Sequence, residues 1–253
     1  MRLVQLLAVC SCALGVAAYL GESSSATASA SGACVSDADG NGYTYAGHQA
    51  NVAGHGVRAT ITPTRSLNVA AGHVAGWVGV GGPGQGANGE DAWLQAGIAS
   101  VQGNAPYLYA EVVRDGRQPQ LILLDEGLQT GVSRRVAVLE TSTQPDSWRV
   151  WVDGRPVTKP LHIRGSSGRW APIATAESWD GGEAVCNRFA FRFERVSVSY
   201  GGGGSWRPFL SGHQFLDGGN RLYALATAPA AGSTYASPRS AQSPLPYAFL
   251  ASS

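Results

Sequence analysis

Apolar and polar positions alternate with a period of two in one segment after another of this chain, the pattern of strands that bury one face. Residues 91–98 show it best. Leu94, Ala96 and Ile98 fall on one face, and Asp91, Trp93, Gln95 and Gly97 fall on the other. The apolar set predicts a core, so the opposite face carries a carboxylate, an indole and an amide together. Just before it, Trp77, Val78 and Val80 make a short apolar strand. The run GGPGQGANG at 81–89 predicts a loop, because proline lacks a ladder donor and glycine has no side chain to pack. Downstream, YLYAEVV at 107–113 puts Tyr107, Tyr109 and Glu111 on one side and Leu108, Ala110 and Val112 on the other.

The same reading predicts strands at 43–50, 56–62, 121–124 and 135–140. WRVWV at 148–152, followed by Asp153-Gly154 and a strand at 155–157, predicts a hairpin with a two-residue turn. In the longest alternating run, 189–200, Phe189, Phe191 and Phe193 oppose Ala190, Arg192 and Glu194, with a change of phase near Arg195 that predicts a bulge. No segment of the mature chain sustains helical spacing. Many short strands separated by Gly and Pro turns predict an all-β protein, an antiparallel sandwich of two packed sheets or a barrel. Residues 205–215 are expected to pack back on the domain, and 246–250 to return as an edge strand.

The ends of the chain read differently. Arg2 followed by the apolar run 3–20 and small-residue sites near Ala18 and Ala30 predicts a secretory signal peptide; an N-terminal membrane anchor is the alternative. The expected organisation is a signal peptide and flexible leader at 1–30, a β-sandwich at 31–225, and an Ala/Ser/Pro-rich tail at 226–253. Export places the protein outside the cell, in an oxidising compartment. Cys34 and Cys186 then remain as a disulfide, with two unpaired thiols as the alternative. Such a bridge would close a loop of about 150 residues and contribute at most a few kcal/mol.

With 253 residues, 14% charged, a net charge of +1 and Lys159 as the sole lysine, the chain lacks the clustered basic face of a nucleic-acid binder. The expected partner is a protein or peptide substrate, or alternatively a glycan, bound by a monomer with no lasting membrane association. Asp37, Asp39 and Asn41 begin a calcium-loop pattern that fails at its twelfth position, His48; a turn is the simpler reading, and no metal or cofactor is expected. His48, His55, His73, His162 and His213 show no metal-ligand spacing. There is no nucleophile elbow and no phosphate loop.

Four motifs in order carry a resemblance: Trp77-Val-Gly-Val, Trp93-Leu-Gln-Ala-Gly, Tyr109-Ala-Glu111, and Thr175-Ala-Glu177-Ser-Trp179. Over residues 43–200 the chain resembles the glutamic peptidases, the eqolisin family. The resemblance implies two curved antiparallel sheets similar to concanavalin A. It also implies a secreted endopeptidase working in acid, with Glu177 as general base toward water and Gln95 as amide donor to the oxyanion. Trp77, Trp93, Tyr109 and Glu111 are candidate substrate-binding residues; Glu111 is alternatively a counter-charge to Arg114. The chain departs from the family pattern after its Ala-Glu, where Ser178 precedes Trp179 and Asp180-Gly-Gly follows, and its 81–91 loop is longer. The competing reading, motivated by Trp93, Tyr107 and Tyr109 beside polar groups, is a carbohydrate-binding sandwich without catalysis.

Overall fold

A computed structural model describes residues 42–183, 185–225 and 246–253. The expected signal peptide, Cys34, the calcium-like residues 37–41 and most of the Ala/Ser/Pro-rich segment lie outside them, so the Cys34–Cys186 bridge remains an expectation. Among the described residues there is no helix; every element is a strand.

One sheet has seven strands, in the order β14 (Gly212–Leu216), β1 (Tyr43–Ala50), β11 (Ile173–Trp179), β3 (His73–Gly82), β4 (Ala92–Val101), β5 (Tyr107–Val113) and β6 (Gln120–Asp125). The second has nine. Its main path runs β10 (Leu161–His162), β8 (Ser147–Val152), β7 (Arg134–Glu140), β2 (Gly56–Pro63), β12 (Ala190–Ser199), β16 (Phe249–Ser252) and β15 (Arg221–Ala224). β9 (Arg155–Pro156) pairs with β8, and β13 (Trp206–Pro208) with β12. Every pairing between strands is antiparallel in both sheets.

The alternation read from the sequence decides what lies between the sheets. Val78, Leu94, Ile98, Leu108 and Ala176 from the first sheet meet Ile61, Val138, Trp148, Phe191 and Phe193 from the second in one buried cluster. This is the sandwich architecture, with each strand's other face turned away from the core. The Asp153-Gly154 turn has φ of 49° and 85°, both positive as a type I′ turn requires. Arg195 has φ 54°, and the β12–β2 register shifts between Glu194 and Ser197, so the expected bulge is present.

Two expectations need correction. Residues 249–252 are not tail, and their strand is not at an edge: β16 lies between β12 and β15. Phe249 stacks on Phe193 at 4.6 Å, and Phe249 and Ala251 are both fully buried, so core packing draws the segment in. Asp91 does not join the strand that follows it. β4 begins at Ala92, and Asp91 Oδ1 instead accepts the Gly84 N–H at 2.8 Å, closing the glycine-rich loop on itself. That loop is tied down from outside by Trp170 Nε1, which donates to the Gln85 carbonyl at 3.0 Å.

Candidate active site

The outward face of the seven-stranded sheet carries three central rows of directly opposed residues, with the Trp179–His73 row beyond one end and the Gly81–Trp93–Val113 row beyond the other. The central rows run Tyr45–Glu177–Ala75–Ala99–Tyr107, then Gly47–Thr175–Trp77–Gly97–Tyr109–Leu123, then Gln49–Ile173–Gly79–Gln95–Glu111–Leu121. Opposed residues of an antiparallel pair share a face. Glu177, Trp77, Trp93, Gln95, Tyr109 and Glu111 are therefore all on this one face, as the phase of each strand requires.

The middle row is a floor. Trp77 is 8% exposed and Tyr109 3%, and together with Ala75 and Ala99 they form a small apolar cluster of their own. The candidate substrate contacts Trp77 and Tyr109 thus lie beneath the groove rather than along its wall. Trp77 Nε1 is buried without a hydrogen-bond partner among the described residues. Trp77 can lie flat because residue 97 opposite it is glycine. A Cβ there would strike the Gly76 carbonyl oxygen and come within 2.6 Å of Trp77 Cα. Gly97→Ala is expected to destabilise the protein by about 1–3 kcal/mol through overpacking, measured as a lower denaturation midpoint in urea.

At one end of the floor stand Gln95, Glu111 and Trp93. Glu111 Oε1 accepts the Trp93 indole N–H at 2.9 Å and the Gln95 amide at 3.5 Å. Gln95 Nε2 also reaches Tyr109 Oη at 3.3 Å. Glu111 therefore orients the amide of Gln95. It does not serve Arg114, whose Nη1 donates to the His162 carbonyl at 3.3 Å. Burial pushes the Glu111 pKa up; the Trp93 hydrogen bond opposes this, and the charge of Glu177 adds to it.

At the other end stands Glu177, 6% exposed within β11. His73 Nε2 lies 3.1 Å from Glu177 Oε1, within hydrogen-bond distance. Among the described residues no other group bonds Glu177, which leaves Oε2 open to the groove. His73 and Trp179 oppose one another one row further out, and Tyr43 stacks on Trp179 at 5.8 Å. The wider spacing of Glu177 and Trp179 noted in the sequence puts both side chains on the same face, as this ring cluster shows. Burial raises the pKa of Tyr43, Tyr107 and Tyr109, and the charges of Glu177 and Glu111 raise them further, so these phenols stay neutral around the carboxylates.

Glu177 and Gln95 share a face but are not bonded to each other. Two strand spacings and four residues of β3 separate them, on the order of 16 Å between backbones on a flat sheet, with the Trp77–Tyr109 floor between.

Three side chains of the groove had no role in the sequence reading. His73 was one scattered histidine, although its phase on β3 with Ala75 and Trp77 places it on the polar face. Leu121 and Leu123 of the edge strand β6, 47% and 50% exposed, adjoin Glu111 and Tyr109 and give the groove an apolar rim. In contrast, His55 is anchored away from this face, with Nδ1 2.5 Å from Oε2 of the buried Glu140, whose Oε1 accepts the Asp146 N–H. His48, the failed twelfth position of the calcium pattern, points into the core against Phe249.

Fold and groove together define a two-sheet antiparallel β-sandwich with paired carboxyl groups and an amide on one open sheet face. No family model and no curated sequence matches the chain. Among solved structures it is similar to scytalido-glutamic peptidase bound to a peptide-based transition state analogue, with 19% identity over 65% of this chain and 82% of that one and a TM-score of 0.47. It is also similar to SCP-B, an eqolisin-family peptidase bound to the tripeptide Ala-Ile-His (16% identity, 65% and 82% of the chains, TM-score 0.40). A β-glucanase of Bacillus licheniformis is similar as well (14% identity, 58% and 66%, TM-score 0.39). Each of these scores is below 0.5, and the functional reading rests on the side chains of the groove.

Proposed function

We propose that the protein is an exported glutamic-type peptidase that hydrolyses peptide bonds in acid. The observation that carries the reading is the buried Glu177 carboxylate, held at one oxygen by His73, on the same face as an amide oriented by a second carboxyl group. Two carboxyls lie on this face, Glu111 with its pKa raised by burial and Glu177 within hydrogen-bond distance of His73, and these different surroundings suit separate roles. Glu177 Oε2 takes a proton from water as the water oxygen attacks the scissile carbonyl carbon. The resulting oxyanion is met by an amide N–H of Gln95. The proton on Glu177 then passes to the amine nitrogen as the C–N bond breaks, which returns Glu177 to its carboxylate form. Glu111 and Tyr109 position Gln95, and His73 positions Glu177. The exposed Leu121 and Leu123, with the half-buried Trp93, suit apolar side chains of an extended peptide laid across the strands.

The test is cleavage of a denatured protein substrate by the processed protein between pH 2 and pH 7. Cleavage with an acid optimum is the expected result. A folded, processed sample that cleaves nothing at any pH in this range would sink the proposal.

A further inference from the structure

The nine-stranded sheet carries a second cleft on its outer face, on the opposite side of the sandwich from the groove. It holds about 280 Å³ and is lined chiefly by Arg58, Arg135, Ala137, Leu139, Trp151 and Trp206. The strand phases explain the assembly. Val57 and Ala59 face the core, so Arg58 faces out; it opposes Ala137, which in turn opposes Trp151. The small side chain of Ala137 makes a floor between a guanidinium and an indole. On the far side the Arg58 guanidinium lies 4.6 Å over the ring of Trp206.

The charges here are of one sign. The cleft lining holds two arginines and no acid. Of the nearby carboxylates, Asp153 accepts the Arg135 backbone N–H at 3.0 Å and lies 3.7 Å from Arg134 Nη1, Glu194 pairs with Arg192, and neither Arg58 nor Arg135 has a side-chain ion-pair partner among the described residues. Burial and the adjacent charge of Arg135 both push the Arg58 pKa down, with only Tyr247 opposing. Two guanidinium groups held together without a counter-charge favour an anion, and their planar forks match a carboxylate. The cleft offers more than charge. Trp151 Nε1 is buried and has no hydrogen-bond partner among the described residues. Ala137, Leu139 and the indoles supply apolar surface beside these donors. A ligand that combines a carboxylate with a flat C–H face fits both features; a bare inorganic anion uses only the first.

We propose that this cleft binds the carboxylated sugar unit of an acidic saccharide, with Arg58 and Arg135 taking the carboxylate and Trp151 taking the ring face. Such a site would hold the protein on uronate-rich polymers and is independent of the peptidase groove.

The experiment is titration of the full chain with trigalacturonate at pH 6, followed by calorimetry and tryptophan fluorescence. A neutral galactose trimer, sodium sulfate and triglutamate are run beside it. Trigalacturonate is expected to bind at least tenfold more tightly than the other three. Arg58→Gln, Arg135→Gln and Trp151→Ala should each weaken it about tenfold or more, while Glu177→Gln should leave it unchanged. Trp151→Phe, which keeps a smaller aromatic face, provides the check should the alanine variant fold poorly. No binding of trigalacturonate, equal binding of the neutral trimer, sulfate or triglutamate, or full affinity in Arg58→Gln would each overturn the proposal. Because Glu177→Gln separates the two sites, loss of peptidase activity and loss of saccharide binding are read independently.

Discussion

Glu177→Gln is expected to lower peptide-bond cleavage by roughly 10²–10⁴-fold with the fold intact, the span typical of removing a positioned general base. The substitution nearly preserves shape: the amide oxygen can still accept from His73 Nε2, now 3.1 Å from Oε1. What it removes is the ability to accept a proton from water. Gln95→Ala is expected to cost on the order of 10²–10³-fold, as for loss of one oxyanion donor. If the two residues act on one transition state, the double variant will lose far less than the product of the single losses. Rates at saturating and limiting substrate, with circular dichroism as the control for folding, measure all three. Wild-type rates in Glu177→Gln would remove Glu177 from the chemistry, and strictly multiplicative losses would mean that the two residues act separately.

His48 sets the second large effect, on stability. Its ring is 2% exposed in the core beside Phe249, and neither ring nitrogen has a hydrogen-bond partner among the described residues. Burial lowers its pKa from 6.5 to about 4. A folded-state pKa below the unfolded one means that the unfolded chain binds the proton more readily. The stability from neutral His48 is therefore fully present above pH 6.5 and is lost as pH falls through about 4, a loss of about 3 kcal/mol. Glu111 acts in the opposite sense: its raised pKa favours the fold at low pH and withdraws that contribution as pH rises through the folded value. His48→Leu removes the acid penalty. Its stability relative to wild type, from urea unfolding at pH 7 and pH 4, should improve by about 3 kcal/mol between the two. An equal difference at both pH values would show that His48 does not titrate on unfolding. This penalty is a large part of a typical stability of about 5–15 kcal/mol, and it weakens the folded protein in acid.

Much of the fold could be read along the chain because its signals are local. The alternation of Leu94, Ala96 and Ile98 against Trp93 and Gln95 follows from the pleat of a single strand. The Asp153-Gly154 turn and the Arg195 bulge depend on a few adjacent φ values. Asp91 and residues 249–252 were misplaced for the complementary reason. The Asp91 carboxylate was drawn to a loop N–H rather than to the strand after it, and the last segment was captured by a gap in the Phe193 face, which no local pattern records.

The groove divides in the same way. Gln95 and Glu111 occupy facing positions on adjacent strands joined by a short loop, so their meeting follows closely from the alternation. Glu177 stands out in the sequence only through the resemblance of its surroundings to a family, and His73 was not singled out at all. The two are 104 residues apart and meet because β11 is inserted between β1 and β3.

By itself, then, the sequence determined which face each residue occupies, because side chains alternate with a period set by the backbone. It also determined where the chain turns, because Gly, Pro and Asp allow or forbid particular dihedral angles. Only the tertiary structure decided which strands lie side by side and in what register. That choice depends on how the apolar faces of both sheets fill one core, a property of all the strands together, and it is what brings His73 to Glu177 and Arg58 to Trp206.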